Sequence, residues 1–105
     1  MKPLEGIKIL EFSTMITASF AAMIMAEQGA EVIKVEPIDL GDPMRYLGSA
    51  KGGISALFAS CNRGKRSLRI DLKSDAGRET IEQLATESDI LLTNYRPGVM
   101  DSLGL

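Results

Sequence analysis

The sequence predicts an α/β domain whose sheet is mostly parallel. Three features lead there. Four short β-rich runs are spaced along the chain, helical segments connect the first to the second and the third to the fourth, and glycine or proline punctuates the junctions. At 105 residues the chain suits one domain, and 45% hydrophobic with 25% charged side chains is a globular composition.

The first run, Ile7 to Phe12, lies between Gly6 and Ser13-Thr14. An Ala- and Met-rich segment continues through Glu27, filled with good helix formers, and its continuous apolar character predicts a helix buried on more than one side. Met15, Met23 and Met25 read as packing residues of that helix, and Gly29 supplies a left-handed C-cap. Glu31 to Glu36 is the second strand, ended by Pro37, and completes a βαβ unit. Residues 37–53 hold four glycines and two prolines and predict an excursion loop of 17 residues, longer than ordinary connections. Ile54 to Ser60 suits a short helix and Ser67 to Leu72 a third strand. Ser74 is placed to cap the next helix, with Asp75 in its first turn, Gly77 a mild blemish, and Ile81, Leu84 and Ala85 on one face as far as Thr86. Asp89 to Asn94 is the fourth strand, Tyr95-Arg96-Pro97-Gly98 breaks it, and Val99 to Leu105 opens a further helix or turn.

Twelve Lys and Arg against 14 Asp and Glu give a formal charge of -2, which argues against a nucleic-acid binder. The single cysteine, Cys61, cannot form an internal disulfide and reads as a small buried hydrophobe. With no histidine, a Cys/His zinc site is excluded and imidazole is unavailable as a general base. The N-terminus lacks the apolar core of a secretory signal, and the longest apolar-rich stretch, Met15 to Ala26, is well short of the roughly 20 residues a membrane span needs. The expectation is a soluble cytoplasmic protein that binds neither membrane nor nucleic acid. Charge is unevenly spread: residues 63–73 carry five basic side chains against Asp71, net +4.

Asn62-Arg63-Gly64-Lys65-Arg66-Ser67 is the strongest local candidate for chemistry. Gly64 permits close backbone approach, while Lys65 and Arg66 offer a point charge and a planar fork for phosphate oxygens. An ordinary solvated basic turn fits the same residues, and the spacing is not that of a Walker A loop. The helix that follows Ser13-Thr14-Met15 presents free N–H groups, either an anion cradle or an ordinary helix start. Asn94-Tyr95-Arg96 sits where a parallel strand ends, the usual ligand side of such sheets; Asn94 could bond a base edge, Tyr95 pack on a ring and Arg96 pair with a phosphate. A structural turn closed by Pro97-Gly98 is the alternative. Asp42 and Asp71 are carboxylates that nothing in the sequence pairs, and Glu11 and Glu36, ending their strands on one edge, suit local ion pairs or caps as well as a site.

Six ordered blocks resemble the N-terminal part of the family III CoA-transferases, the superfamily of formyl-CoA and carnitine-CoA transferases and α-methylacyl-CoA racemases. They are Leu4 to Phe12, Gly29 to Pro37, Gly41-Asp42-Pro43-Met44-Arg45, Asn62 to Ser67, Asp71-Leu72-Lys73-Ser74 with Gly77-Arg78, and Asp89 with Asn94 to Gly98, so that the resemblance covers nearly the whole chain. It implies a Rossmann-like open, mostly parallel sheet with flanking helices, residues 1–105 being the N-terminal part of a large domain, and a homodimer of interlocked chains in the full enzyme. It implies exchange of CoA between carboxylic acids through a catalytic aspartate beyond Leu105, or, in the racemase branch, α-proton exchange by a His/Asp pair. A third alternative is a non-catalytic binding domain. The chain alone is expected to be inactive, to need no cofactor, and to take coenzyme A or acyl-CoA, with a carboxylic acid, as substrates. Carried over residue by residue, Lys65 and Arg66 lie near the phosphates, Asn94, Tyr95 and Arg96 along the adenosine and pyrophosphate, and Ile16 and Thr17 at the start of the pocket. Many relatives have Ala-Gly-Pro where this chain has Thr17-Ala18-Ser19, and some have an arginine at the position of Pro37, departures that bear on acyl fit and on one phosphate contact. Taken alone, the chain is expected to leave edge strands and an apolar helix face uncovered.

Overall fold

A computed structural model of the chain describes residues 1–48, 50–51 and 54–105. Strands β1 (Lys8–Phe12), β2 (Glu31–Pro37), β5 (Arg66–Ile70) and β6 (Ile90–Thr93) form one sheet in the order β5-β2-β1-β6. All three pairings are parallel, which is the Rossmann-like arrangement expected. Helix α1 (Thr17–Glu27) connects β1 to β2, and α3 (Asp75–Thr86) connects β5 to β6. Because strand side chains alternate, the sheet presents two different cores. Ile9 and Val32 pack with Ala22 of α1 and Ala30 on one face, while Leu10, Phe12 and Val35 pack with Ile81 of α3 on the other.

The helix ends follow from local chemistry. At the end of α1 Gly29 adopts φ +107 and its N–H and that of Ala30 return to the carbonyls of Ala26 and Met25; a Cβ there would lie 2.8 Å from Lys2 Cβ. Ser74 caps α3 by accepting from the Gly77 amide at 3.0 Å. Gly77 is more than a blemish: a Cβ on it would sit 1.9 Å from the Asp71 carbonyl oxygen.

The excursion loop carries regular structure that its glycines and prolines conceal. Pro43–Tyr46 is a 3-10 turn capped by Asp42, and β3 (Ala50–Lys51) pairs antiparallel with β4 (Ile54–Ser55). Residues 49, 52 and 53 of the expected loop lie outside the described residues. The short helix begins two residues later than expected, as α2 (Ala56–Asn62), because Ser55 serves as its cap. A last short helix, α4 (Val99–Ser102), follows Gly98.

Helix α1 packs against both the sheet and α2, burying Ala18, Ser19, Ala22 and Met23, while Phe20 and Ile24 remain exposed and Met15 stands outside the helix altogether. Ile90 and Leu91 of the edge strand β6 are also open, 42% and 49% exposed, so the apolar helix face and the bare edge expected from the sequence are both present. Among the described residues no helix is long and apolar enough to cross a membrane.

Candidate functional site

The chain runs outward from β1 through β2 to β5 and then returns to the other side of β1 as β6. A reversal of this kind leaves a crevice at the carboxyl ends of the two strands that separate there. Residues 13–17, after β1, and 94–96, after β6, meet at this point. Beside them opens a cavity of about 600 Å³, walled by Thr14, by Pro37, Ile38 and Asp39 after β2, by Ile70, Asp71, Leu72 and Lys73 after β5, and by Tyr95 with Val99. Its walls are mostly apolar, with one aromatic ring and three charged groups, Asp39, Asp71 and Lys73, the general make-up of a small-molecule pocket.

Asn94 does not point an idle amide into the crevice. Its Oδ1 accepts from the Thr14 amide at 3.1 Å, and its Nδ2 donates to the Thr14 carbonyl at 2.8 Å and to Thr17 Oγ1 at 3.0 Å. It therefore splices the β6 end to the β1–α1 loop. Tyr95 is half-buried in the α3-side core; burial, and then the carboxylates of Asp42, Glu11 and Glu36, push its phenol up, so it is a neutral donor at physiological pH. Arg96 is exposed and makes no ion pair among the described residues. Ile16 occupies the cap of α1 and gives it no side-chain acceptor, and Thr17 opens the helix.

Lys65 and Arg66 are placed elsewhere. Lys65 precedes β5 and Arg66 is its first residue, so both enter the sheet at the amino end of that strand and not with Asn94–Arg96; the register sets Arg66 beside Ile33. Arg66 lines a second cavity of about 320 Å³ with Lys8, Glu31, Gly64 and Glu87. The Lys65 ammonium turns inward, 2.7 Å from Glu11 Oε1 and donating to the Ser19 carbonyl at 2.8 Å and to Asn62 Oδ1 at 2.9 Å. Burial lowers its pKa, against the opposing pull of Glu11.

What the sequence did not disclose is a buried polar cluster beneath this crevice. Lys34 is Glu11's register partner, and its ammonium lies 3.3 Å from Glu11 and 2.8 Å from Asp42, with all three side chains 0–1% exposed. Lys34 also donates to Ser19 Oγ at 2.8 Å and to Asn62 Oδ1 at 3.0 Å, and Ser13 donates to Glu11. Two ammoniums thus face two carboxylates, as burial of charge requires. Next to them Glu36 receives Arg45 Nε and Nη2 at 2.7 and 2.6 Å, the Asp42 amide at 2.7 Å and the Ser67 hydroxyl. Burial raises the pKa of Glu36, but these bonds and the charge of Arg45 outweigh it and hold the carboxyl at about 2. Arg45 is stacked 3.9 Å from the Phe58 ring centroid. One signal for the cluster was available: Lys34 and Glu36 alternate with Val35 in a strand covered on both faces, so inward charges there need partners.

The cavity thus lies at the carboxyl ends of the strands, beside the strand-order reversal, the side on which open α/β sheets generally bind ligands. The chain belongs to CoA-transferase family III, whose model matches residues 4–105. Among its relatives, succinyl-CoA:glutarate CoA-transferase of Homo sapiens is 40% identical over 106 residues, covering 100% of this chain and 24% of that protein. The crystal structure of a CAIB/BAIF family protein from Brucella suis shares 35% identity at a TM-score of 0.90, covering 99% of this chain and 29% of that one. The crystal structure of an aspartate-to-alanine mutant of Rv3272 from Mycobacterium tuberculosis, substituted at a position numbered beyond this chain's last residue, gives 36% and 0.89 over 99% of this chain and 28% of that one. This chain spans about a quarter of the length of the relatives it matches.

Proposed function

We propose that residues 1–105 form one wall of the CoA site of an enzyme that moves CoA between carboxylic acids, with the carboxylate that takes up the acyl group or CoA supplied by an aspartate outside these residues. The observation that carries this is the cavity at the carboxyl ends of the sheet, where Tyr95, Ile70 and Leu72 offer surfaces for a ring and Lys73 offers a cation for a phosphate, with the exposed Arg96 next in sequence to Tyr95. The mutated aspartate of the related mycobacterial structure supports a carboxylate beyond this segment. Within the proposal Ile16 and Thr17 border the thioester end, Asn94 shapes the pocket floor, and Tyr95 and Arg96 contact the nucleotide. Lys65 then acts from below, by fixing Glu11 and α1. The protein is taken to work in the cytoplasm and as a homodimer, on an acyl-CoA and a free acid whose identities belong to the rest of the enzyme.

Calorimetric titration with CoA tests the reading. Saturable binding is expected, weakened about tenfold or more by Tyr95→Ala or Arg96→Ala, since a packed ring or a charged hydrogen bond contributes roughly 1–2 kcal/mol. Absence of saturable heat at millimolar CoA, or equal binding by both variants, overturns it.

A further inference from the structure

Met15 is a non-glycine residue with φ +63, the only one at positive φ among the described residues. A methionine has no side-chain device that favours the left-handed region, so something outside it must hold the conformation. Its amide donates to Asp42 Oδ1 at 3.2 Å. The same oxygen accepts from the Met44 amide at 3.0 Å, and the other carboxylate oxygen faces the Lys34 ammonium at 2.8 Å. Asp42 is itself pinned through its amide by Glu36. The Asp42 side chain is fully buried. Thr14, next to Met15 and held from the opposite side by Asn94, is the residue of this loop that lines the cavity.

We propose that Asp42 is a positioning residue for the ligand site: anchored by Lys34 and Glu36, it holds Met15 left-handed and so sets where Thr14 and the start of α1 stand at the mouth of the crevice. Fully buried, Asp42 acts through the backbone of a loop that lies far from it in sequence. The consequence for affinity rests on the reading of that crevice as a CoA site, whereas the consequence for the loop does not. Pre-organisation of this kind favours a binding-competent conformer, and its loss lowers apparent affinity by the fraction of chains that leave it.

The test is hydrogen exchange by mass spectrometry over the segment spanning residues 13–20, paired with CoA titration, on the 105-residue chain. Asp42→Ala is expected to speed exchange in that segment and to weaken CoA about tenfold, the population change that follows from releasing one strained residue. Adding Met15→Gly to Asp42→Ala is expected to recover most of the affinity, because glycine adopts positive φ without the steric cost that a side chain meets there. Unchanged exchange in Asp42→Ala, or no recovery in the double variant, overturns the proposal. Should Asp42→Ala fail to fold, Met15→Val decides: a β-branched residue resists this φ, so it must weaken CoA about tenfold more than Met15→Gly does, and equal affinities overturn the proposal. If the unsubstituted chain binds no CoA, the reading of the site fails, and the exchange data alone decide the role of Asp42.

Discussion

Protonating one buried carboxylate should account for a defined part of this protein's acid sensitivity. Glu36 is held at about 2, against 4.5 for an ordinary glutamate. At 1.36 kcal/mol per pH unit, lowering from 4.5 to about 2 corresponds to about 3 kcal/mol of stability. A depressed carboxyl contributes this in full above its unfolded-state value and loses it as pH falls from about 4.5 toward about 2, because over that interval the unfolded chain binds a proton that the folded chain refuses. The assay is denaturant unfolding at a series of pH values for the parent chain and for Glu36→Gln, which cannot titrate. The parent should lose about 3 kcal/mol more than the variant between pH 5 and pH 2. Arg45→Met should move the loss to higher pH, since the guanidinium on Glu36 is the largest influence that lowers it. Identical pH slopes in the parent and Glu36→Gln would refute the reasoning.

Other perturbations probe the helices and the buried cluster. Ser74→Ala removes the acceptor for the Gly77 amide and should cost about 1 kcal/mol in the same unfolding assay. Gly77→Ala should destabilise by more than that, although alanine is the better helix former by about 1 kcal/mol, because the new Cβ meets the Asp71 carbonyl and backbone cannot easily yield. Lys65→Met leaves the Glu11 carboxylate buried beside one ammonium instead of two and should cost roughly 3 kcal/mol of stability. Its calorimetric CoA affinity, corrected for the folded fraction, should fall far less than that of Arg96→Ala.

Much of the architecture was legible because its signals are local. Ser74 with Asp75 marks the start of α3, Gly29 marks the end of α1, and strand–helix–strand order on a short chain leaves a parallel sheet as the economical arrangement. The site was legible only in part. Asn94, Tyr95 and Arg96 could be placed at a carboxyl end because they follow a strand. Lys65 precedes a strand and Arg66 opens it, so the same rule places them at the amino end of β5, and only their charge singled them out. The 3-10 turn inside residues 37–53 and the antiparallel pairing of β3 with β4 were hidden for another reason. They are held by Asp42, Arg45 and Ser55 bonding to partners that only the fold brings near, and glycine content reports none of that.

The buried charges also explain why the crevice has a defined shape. On the α1 face the amino half of the sheet is apolar, with Ile9 and Val32 beneath Ala22, while the carboxyl half presents Glu11, Lys34 and Glu36. An apolar set of similar volume would bury as favourably, since desolvation consumes much of what an ion pair gains. Dispersion is non-directional, however, and would leave several loop arrangements nearly equal in energy. A carboxylate that must find an amide and a guanidinium at hydrogen-bond distance admits few. Glu36 fixes the Asp42 amide and Arg45, Asp42 fixes the Met15 amide, and Asn94 fixes Thr14. The ends of three strands are thereby tied to one another by directional bonds, and the loops that border the cavity inherit their geometry from the charge cluster.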